Sequence, residues 1–140
     1  MAETFKIEIV TPDRQVVDDV AEEMQIPGRN GYLGVLPGHA PLITELGAGE
    51  ISYRNGPDTK YLAVSWGFAE VLPGRVTVLA EAAERADEID VERARKAAER
   101  AEEHLRGKDP DVDFLVVEAA LKRALTRMQV AGKHKGSAQQ

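Results

Sequence analysis

Gly31-Tyr32-Leu33-Gly34-Val35-Leu36-Pro37-Gly38-His39-Ala40-Pro41-Leu42-Ile43-Thr44 is the stretch whose reading decides the fold. Gly31, Gly34 and Gly38, with Pro37 and Pro41, stand where a chain must turn or let another backbone come close. Pro37-Gly38 suits the two central positions of a type II turn, because proline presets φ and glycine accepts a positive one. Leu33, Val35, Leu36, Leu42 and Ile43 fill the intervals, so the segment folds into a core and is no flexible linker.

On either side of it, short alternating runs recur. Phe5, Ile7 and Ile9 alternate with Lys6, Glu8 and Val10 in the period-two pattern of a half-buried strand. Gln15-Val16-Val17 follows a turn at Thr11-Pro12-Asp13-Arg14, and Glu23-Met24-Gln25-Ile26 leads into the deciding stretch. Residues 50–53 and 60–64 bracket an Asn55-Gly56 hairpin cue, and residues 68–72 and 75–79 bracket Pro73-Gly74. Eight or nine such strands make a β-sandwich or a flattened barrel, and periodicity does not choose between them.

Composition changes sharply near residue 82. Before it lie most of the glycines, all but one of the prolines, and every tyrosine and tryptophan; after it Ala, Glu, Arg, Lys and Leu dominate. The contrast divides the chain into a sheet domain, residues 1–86, and a helical domain, residues 87–140. Asp87 is expected to cap a first helix whose quieter face is Ile89, Ala94, Ala97, Ala98, Ala101 and Leu105, ending at Gly107. Asp109-Pro110 is expected to open a second, with Val117, Leu121, Ala124, Leu125 and Met128 at spacings of three and four. A short connection implies an antiparallel hairpin, braced on its surface by Glu92–Lys96, Glu102–Arg106 and Glu118–Lys122. From Gly132 the pattern lapses and a frayed tail is expected. The fold class is therefore α+β.

An alanine seam closes weakly, since burial stabilises by roughly 0.8 kcal/mol per CH₂. Each helix is nonetheless favourable alone, because alanine, glutamate and arginine are good helix formers. A hairpin of this kind can open into a long arm and act as a switch; a static helical appendage is the plainer alternative.

Charge and composition exclude several functions. A net charge of -6 over 140 residues argues against nucleic acid as a partner. Without cysteine there are no disulfides or thiolate metal sites, and no apolar run reaches the roughly 20 residues that span a bilayer. With no apolar signal core at Met-Ala-Glu-Thr-Phe-Lys either, an intracellular protein is expected, meeting a membrane only through partners. No phosphate-cradling loop and no histidine pair at metal-binding spacing occurs. His39 is expected to brace its own loop through a backbone hydrogen bond, His104 to be solvated, and Trp66 to sit in the core. On its residues the chain is not an enzyme and needs no metal.

The deciding stretch, with Gly67-Phe68-Ala69-Glu70-Val71 and Val76-Thr77-Val78-Leu79-Ala80, closely resembles the epsilon subunit of bacterial F-type ATP synthases. Ala83-Glu84-Arg85, then Ile89-Asp90-Val91-Glu92-Arg93-Ala94, is similar to the motif with which some members bind ATP. Lys122-Arg123-Ala124-Leu125 and Arg127 continue the likeness in the second helix. The resemblance implies a β-sandwich of about ten strands and two helices, in the central stalk of a proton-translocating synthase on the cytoplasmic face of the bacterial plasma membrane. It implies contacts with the gamma subunit and the c-subunit ring, and helices that extend to the alpha/beta catalytic head to restrain ATP hydrolysis. Arg29, Tyr32 and His39 are then the expected ring contacts. Two departures stand out: Trp66 where the family commonly has a second glycine, and Tyr32 where many members carry an acidic or polar residue.

ATP is the one ligand expected, in a regulatory role. Arg93 and Arg100 share a face of the first helix, and Arg123 and Arg127 a face of the second, so closing the hairpin gathers cations that a triphosphate would relieve. Ile89 and Ala94 offer a wall for adenine, and Glu84 or Asp90 an acceptor for its amino group. The plainer alternative is a set of solvated arginines. A free-standing nucleotide sensor without a rotary partner is the second functional reading.

Overall fold

The computed structural model describes residues 3–107 and 110–138, with side chains described as far as residue 133. Eight strands precede the helices: β1 (Phe5–Val10), β2 (Gln15–Ala21), β3 (Glu23–Gly28), β4 (Gly31–Val35), β5 (Leu42–Leu46), β6 (Gly49–Asn55), β7 (Asp58–Leu72) and β8 (Arg75–Arg85). The count falls short of about ten, because residues 58–72 form one continuous strand and β8 runs on to Arg85.

That long strand explains the architecture. Its first half pairs antiparallel with β6, from Asn55↔Asp58 to Gly49↔Val64, and its second half with β5, from Leu46↔Gly67 to Leu42↔Val71. Between the halves the backbone bends at Trp66 and Gly67, with φ of 46° and 133°. β3 likewise pairs β4, β5 and β6, and the sheet continues from β7 through β8 and β1 to β2. Two strands shared in this way fold the sheet over on itself, and the enclosed side is the core of a β-sandwich. Alternation fills it as the pattern requires: Phe5, Ile7 and Ile9 of β1 meet Val76 and Val78 of β8, Val71 of β7, and Met24, Ile26 and Ile51.

The deciding stretch behaves as its turn chemistry dictates. Gly38 has a φ of 85°, and the His39 N–H donates to the Leu36 carbonyl at 3.1 Å, closing the Pro37-Gly38 turn. His39 Nδ1 lies 2.7 Å from the Ala40 carbonyl, the expected loop brace.

Helix α1 spans Val91–Arg106 and α2 Phe114–Ala138. Asp87 does not cap α1. It lies in a 3-10 turn, Ala86–Glu88, and Asp90 is the cap, its carboxylate accepting from the Arg93 N–H at 3.0 Å. The expected cap at Asp109 lies outside the described residues. Asp113 opens α2 by accepting from the Leu115 and Val116 N–H groups at 3.0 and 3.4 Å. Glu92 pairs with Arg95 and not Lys96, and Arg95 also holds Glu99. The tail expected to fray from Gly132 is helical as far as Ala138, and its last two residues lie outside the described residues. Burial of Val130 and Ala131 against Ala63 and Ile89 anchors the turns just before Gly132.

Candidate functional site

Where α2 lies on β7, with α1 packed on its other side, a cleft of about 620 Å³ opens, lined among others by Ser65, Glu84, Arg93, Arg123, Thr126 and Arg127. Its volume is in the range of small-molecule sites. Each charged member is placed by its element. The Asp90 cap fixes the first turn of α1 and with it Arg93, while Arg123 and Arg127 are one turn apart on α2. Glu84 projects from β8 opposite Ala63 of β7 and receives Arg127 through two bonds of 2.6 and 3.1 Å. Arg123 lies over the Trp66 ring, 5.1 Å from its centroid. The structure thus brings together Glu84, Arg93, Arg123 and Arg127. Three guanidiniums against two carboxylates, Glu84 and Asp13, leave the lining with a net positive charge, which suits an anion through charge-assisted bonds.

The other expected ligand contacts are used differently. Ile89 packs with Val130, Ala131 and Ala63, and Ala94 is fully buried, so neither presents an open wall to this cleft. The Asp90 carboxylate is the helix cap. Arg100 is exposed, nearly two turns further along α1, and does not line the cleft.

Two contacts escaped the sequence reading. Lys133 reaches the Glu50 carboxylate at 2.8 Å and lies over the Tyr61 ring at 5.2 Å, tying the far part of α2 to β6 and β7. Trp66 is half-buried beneath α2 and is not a core residue. Ala131 was legible in principle, since it follows Met128 by three, whereas Val130 stands two positions after Met128 and falls outside that spacing. The pairing of Arg123 with Trp66 had no local signal, because the partners are 57 positions apart (123 − 66).

Comparison with known proteins matches this two-part arrangement. Residues 4–86 fit the family described as ATP synthase, Delta/Epsilon chain, beta-sandwich domain, and residues 87–132 its long alpha-helix domain. The chain belongs to the epsilon family of ATP synthase subunits. It is 68% identical over 111 residues to the ATP synthase epsilon chain of Koribacter versatilis (strain Ellin345), covering 79% of this chain and 78% of that one. The epsilon chain of Geotalea daltonii is 52% identical over 134 residues, covering 95% and 97%. Among solved structures, a chain of the Euglena gracilis mitochondrial ATP synthase (OSCP/F1/c-ring) superposes with a TM-score of 0.77 at 25% identity, over 88% of this chain and 78% of that one.

Within this epsilon fold, the three expected ring contacts fall at opposite ends of β5, Arg29 and Tyr32 at one and His39 at the other. Arg29 follows β3, donating its N–H to the Glu45 carbonyl at 3.0 Å and pairing with the Glu45 carboxylate at 2.8 Å. Tyr32, in β4, accepts the Glu50 N–H at its hydroxyl at 3.1 Å, and its ring is largely exposed. His39 lies at the other end of β5, where the Gly38 N–H donates to the Pro73 carbonyl at 2.8 Å. A partner touching all three must span the length of β5. Among the described residues no helix is long and apolar enough to cross a membrane.

Proposed function

We propose that this epsilon chain is the non-catalytic central-stalk subunit of a proton-translocating F-type ATP synthase, coupling rotation through its sandwich and restraining ATP hydrolysis through its helices. The observation that carries this is the unequal attachment of the two parts. The sandwich has a core of large side chains, whereas α1 and α2 meet each other through Ala94, Ala98, Ala101 and Ala124. They rest on the sandwich through one small apolar cluster and a few polar contacts. Such an arm can detach without unfolding its base.

The base has a face for a partner. Phe68 and Leu79 are paired in register across β7 and β8, with Ile43 of β5 diagonal to Phe68; all three are more than half exposed, and Glu45 and Glu70 share their rows. Large exposed apolar side chains gathered on one sheet face and rimmed by carboxylates are the pattern of an interaction surface. We assign it to the gamma subunit, and the β3–β4 hairpin end carrying Arg29 and Tyr32 to the c ring, with His39 at the junction between them. Tyrosine, with a broad ring and polar tip, suits such a contact. The described carboxylates and histidines form no metal-binding group. Regulatory ATP binding belongs to this reading too, with Arg93, Arg123 and Arg127 on the phosphates. A free-standing nucleotide sensor has no use for the apolar face.

Truncation after Ala86 tests the reading. The truncated subunit is expected to fold, assemble and support proton coupling, while the complex hydrolyses ATP faster than the intact one. Hydrolysis at the intact rate at every nucleotide level would remove the restraining role. For ATP itself, titration of the full chain is expected to give saturable binding that Arg93→Ala weakens. A flat titration into the millimolar range would leave the arginines as surface charge.

A further inference from the structure

Trp66 is the one non-glycine residue with positive φ among those described, at 46°. It sits where β7 changes partners, its N–H directed at the Gly47 carbonyl at 3.4 Å, and the following Gly67 admits no side chain because a Cβ would overlap the Leu79 carbonyl oxygen. Glycine would adopt this bend freely, while a bulky residue is strained there. The ring must be held by what it touches, and what lies over it is the Arg123 guanidinium. One turn along α2, Arg127 is held by Glu84, from the strand next to β7.

We propose that the hairpin is latched from within: Trp66 holds Arg123 while Glu84 holds Arg127, so the docked arm does not depend on a nucleotide. The inference rests on the reading of a movable arm and concerns its regulation. Two of the three arginines facing the cleft are engaged by the chain's own groups in the docked state. A triphosphate must draw Arg123 off the ring and displace Glu84 before gripping both. It therefore shifts the arm only by the difference between what it gains and what it breaks. Cation–aromatic contacts are strongest with tryptophan, so the residue at this bend is suited to compete.

The chain has a single tryptophan, which makes the latch its own reporter. Without ligand, Arg123→Gln in the full-length protein is expected to speed amide exchange in α2 roughly two- to five-fold. It should also move Trp66 emission to longer wavelength, and Arg123→Lys should restore part of both. Trp66→Gly should speed the same amides while the sandwich's thermal midpoint holds or rises, since the strain is gone. Unchanged exchange and emission in Arg123→Gln, or a Trp66→Gly midpoint that falls with exchange unaltered, overturns the latch. Faster exchange in Glu84→Gln but not Arg123→Gln overturns the Trp66 contact and leaves the movable arm standing. Exchange in α2 unmoved by either variant and by ATP overturns both.

Discussion

In the sandwich, Ile7, Ile9, Met24, Ile26, Ile51 and Leu62 are fully buried against one another; between the helices the buried residues are alanines. An isoleucine removes several carbons from water and an alanine one, at roughly 0.8 kcal/mol each. The same number of contacts therefore closes the sandwich firmly and the hairpin lightly. On the proposed reading, the lesson is that a switch need not have a special hinge. It needs two parts whose cohesion differs, and here the difference lies in side-chain size.

The largest effect expected from that contrast is in the sandwich. Ile51→Ala should cost about 2–5 kcal/mol, lowering the urea midpoint of the whole protein. Val130→Ala, in the small cluster beneath α2, removes about two carbons and should cost about 1.5 kcal/mol. That loss should appear as faster amide exchange confined to the helices, with the sandwich midpoint unchanged. If Val130→Ala lowered the midpoint of both parts together, they would be one cooperative unit and the comparison would fail.

How much of this was legible follows the same division. The sandwich was readable because period-two alternation and turn residues are local: Phe5-Ile7-Ile9 and Pro37-Gly38 each carry their own instruction. The eight or nine strands read from alternation hold; the ten that the resemblance implied do not, because the bend inside β7 looks like a turn yet leaves one continuous strand. The start of α1 was misplaced by three residues, since Asp87 and Asp90 are equally good caps and tertiary contacts choose between them. Of the candidate cleft, the arginines were visible by their spacing on each helix. Ile89 and Ala94 were visible as apolar, but whether an apolar residue lines a ligand or packs against Val130 is decided by the docking of α2.

A smaller effect is expected where α2 is tied down by charge. Glu50 Oε2 holds Lys133, while Oε1 is buried with no hydrogen-bond partner among the described residues. Lys133→Met leaves that carboxylate without its cation, and docking of the arm should weaken by about 1 kcal/mol. Glu50→Gln alone should cost less, and the double variant should recover part of the loss, because no buried charge is then left alone. A double-mutant cycle read by exchange in α2 measures the coupling. Additive costs would mean that the pair contributes nothing and that Val130 and Ala131 carry the contact.

The smallest effect concerns acid, and it separates the two parts by their carboxylates. Burial by itself would raise Asp19, but the Val20 N–H, the Tyr53 hydroxyl at 3.0 Å and the Lys60 ammonium at 3.3 Å outweigh it and hold the group below its ordinary value. Tyr53 is correspondingly raised, by burial first and by this carboxylate second. Glu88, at the junction of sandwich and hairpin, is also lowered: burial opposes, and the Arg85 N–H with the Arg14 and Arg85 guanidiniums prevails. A carboxyl depressed in the folded state stabilises fully above its unfolded value, near 4, and the contribution is lost as pH falls through the lower folded value. Between pH 8 and 5 neither group should alter stability. Below about pH 4 both contributions fade. Asp19 joins β2 to β6 and β7 inside the sandwich, so Asp19→Asn should flatten the acid limb of the sandwich midpoint. Glu88→Gln should flatten only the acid limb of helix exchange. Identical limbs in the two variants would mean that the junction and the sandwich respond to protons as one body.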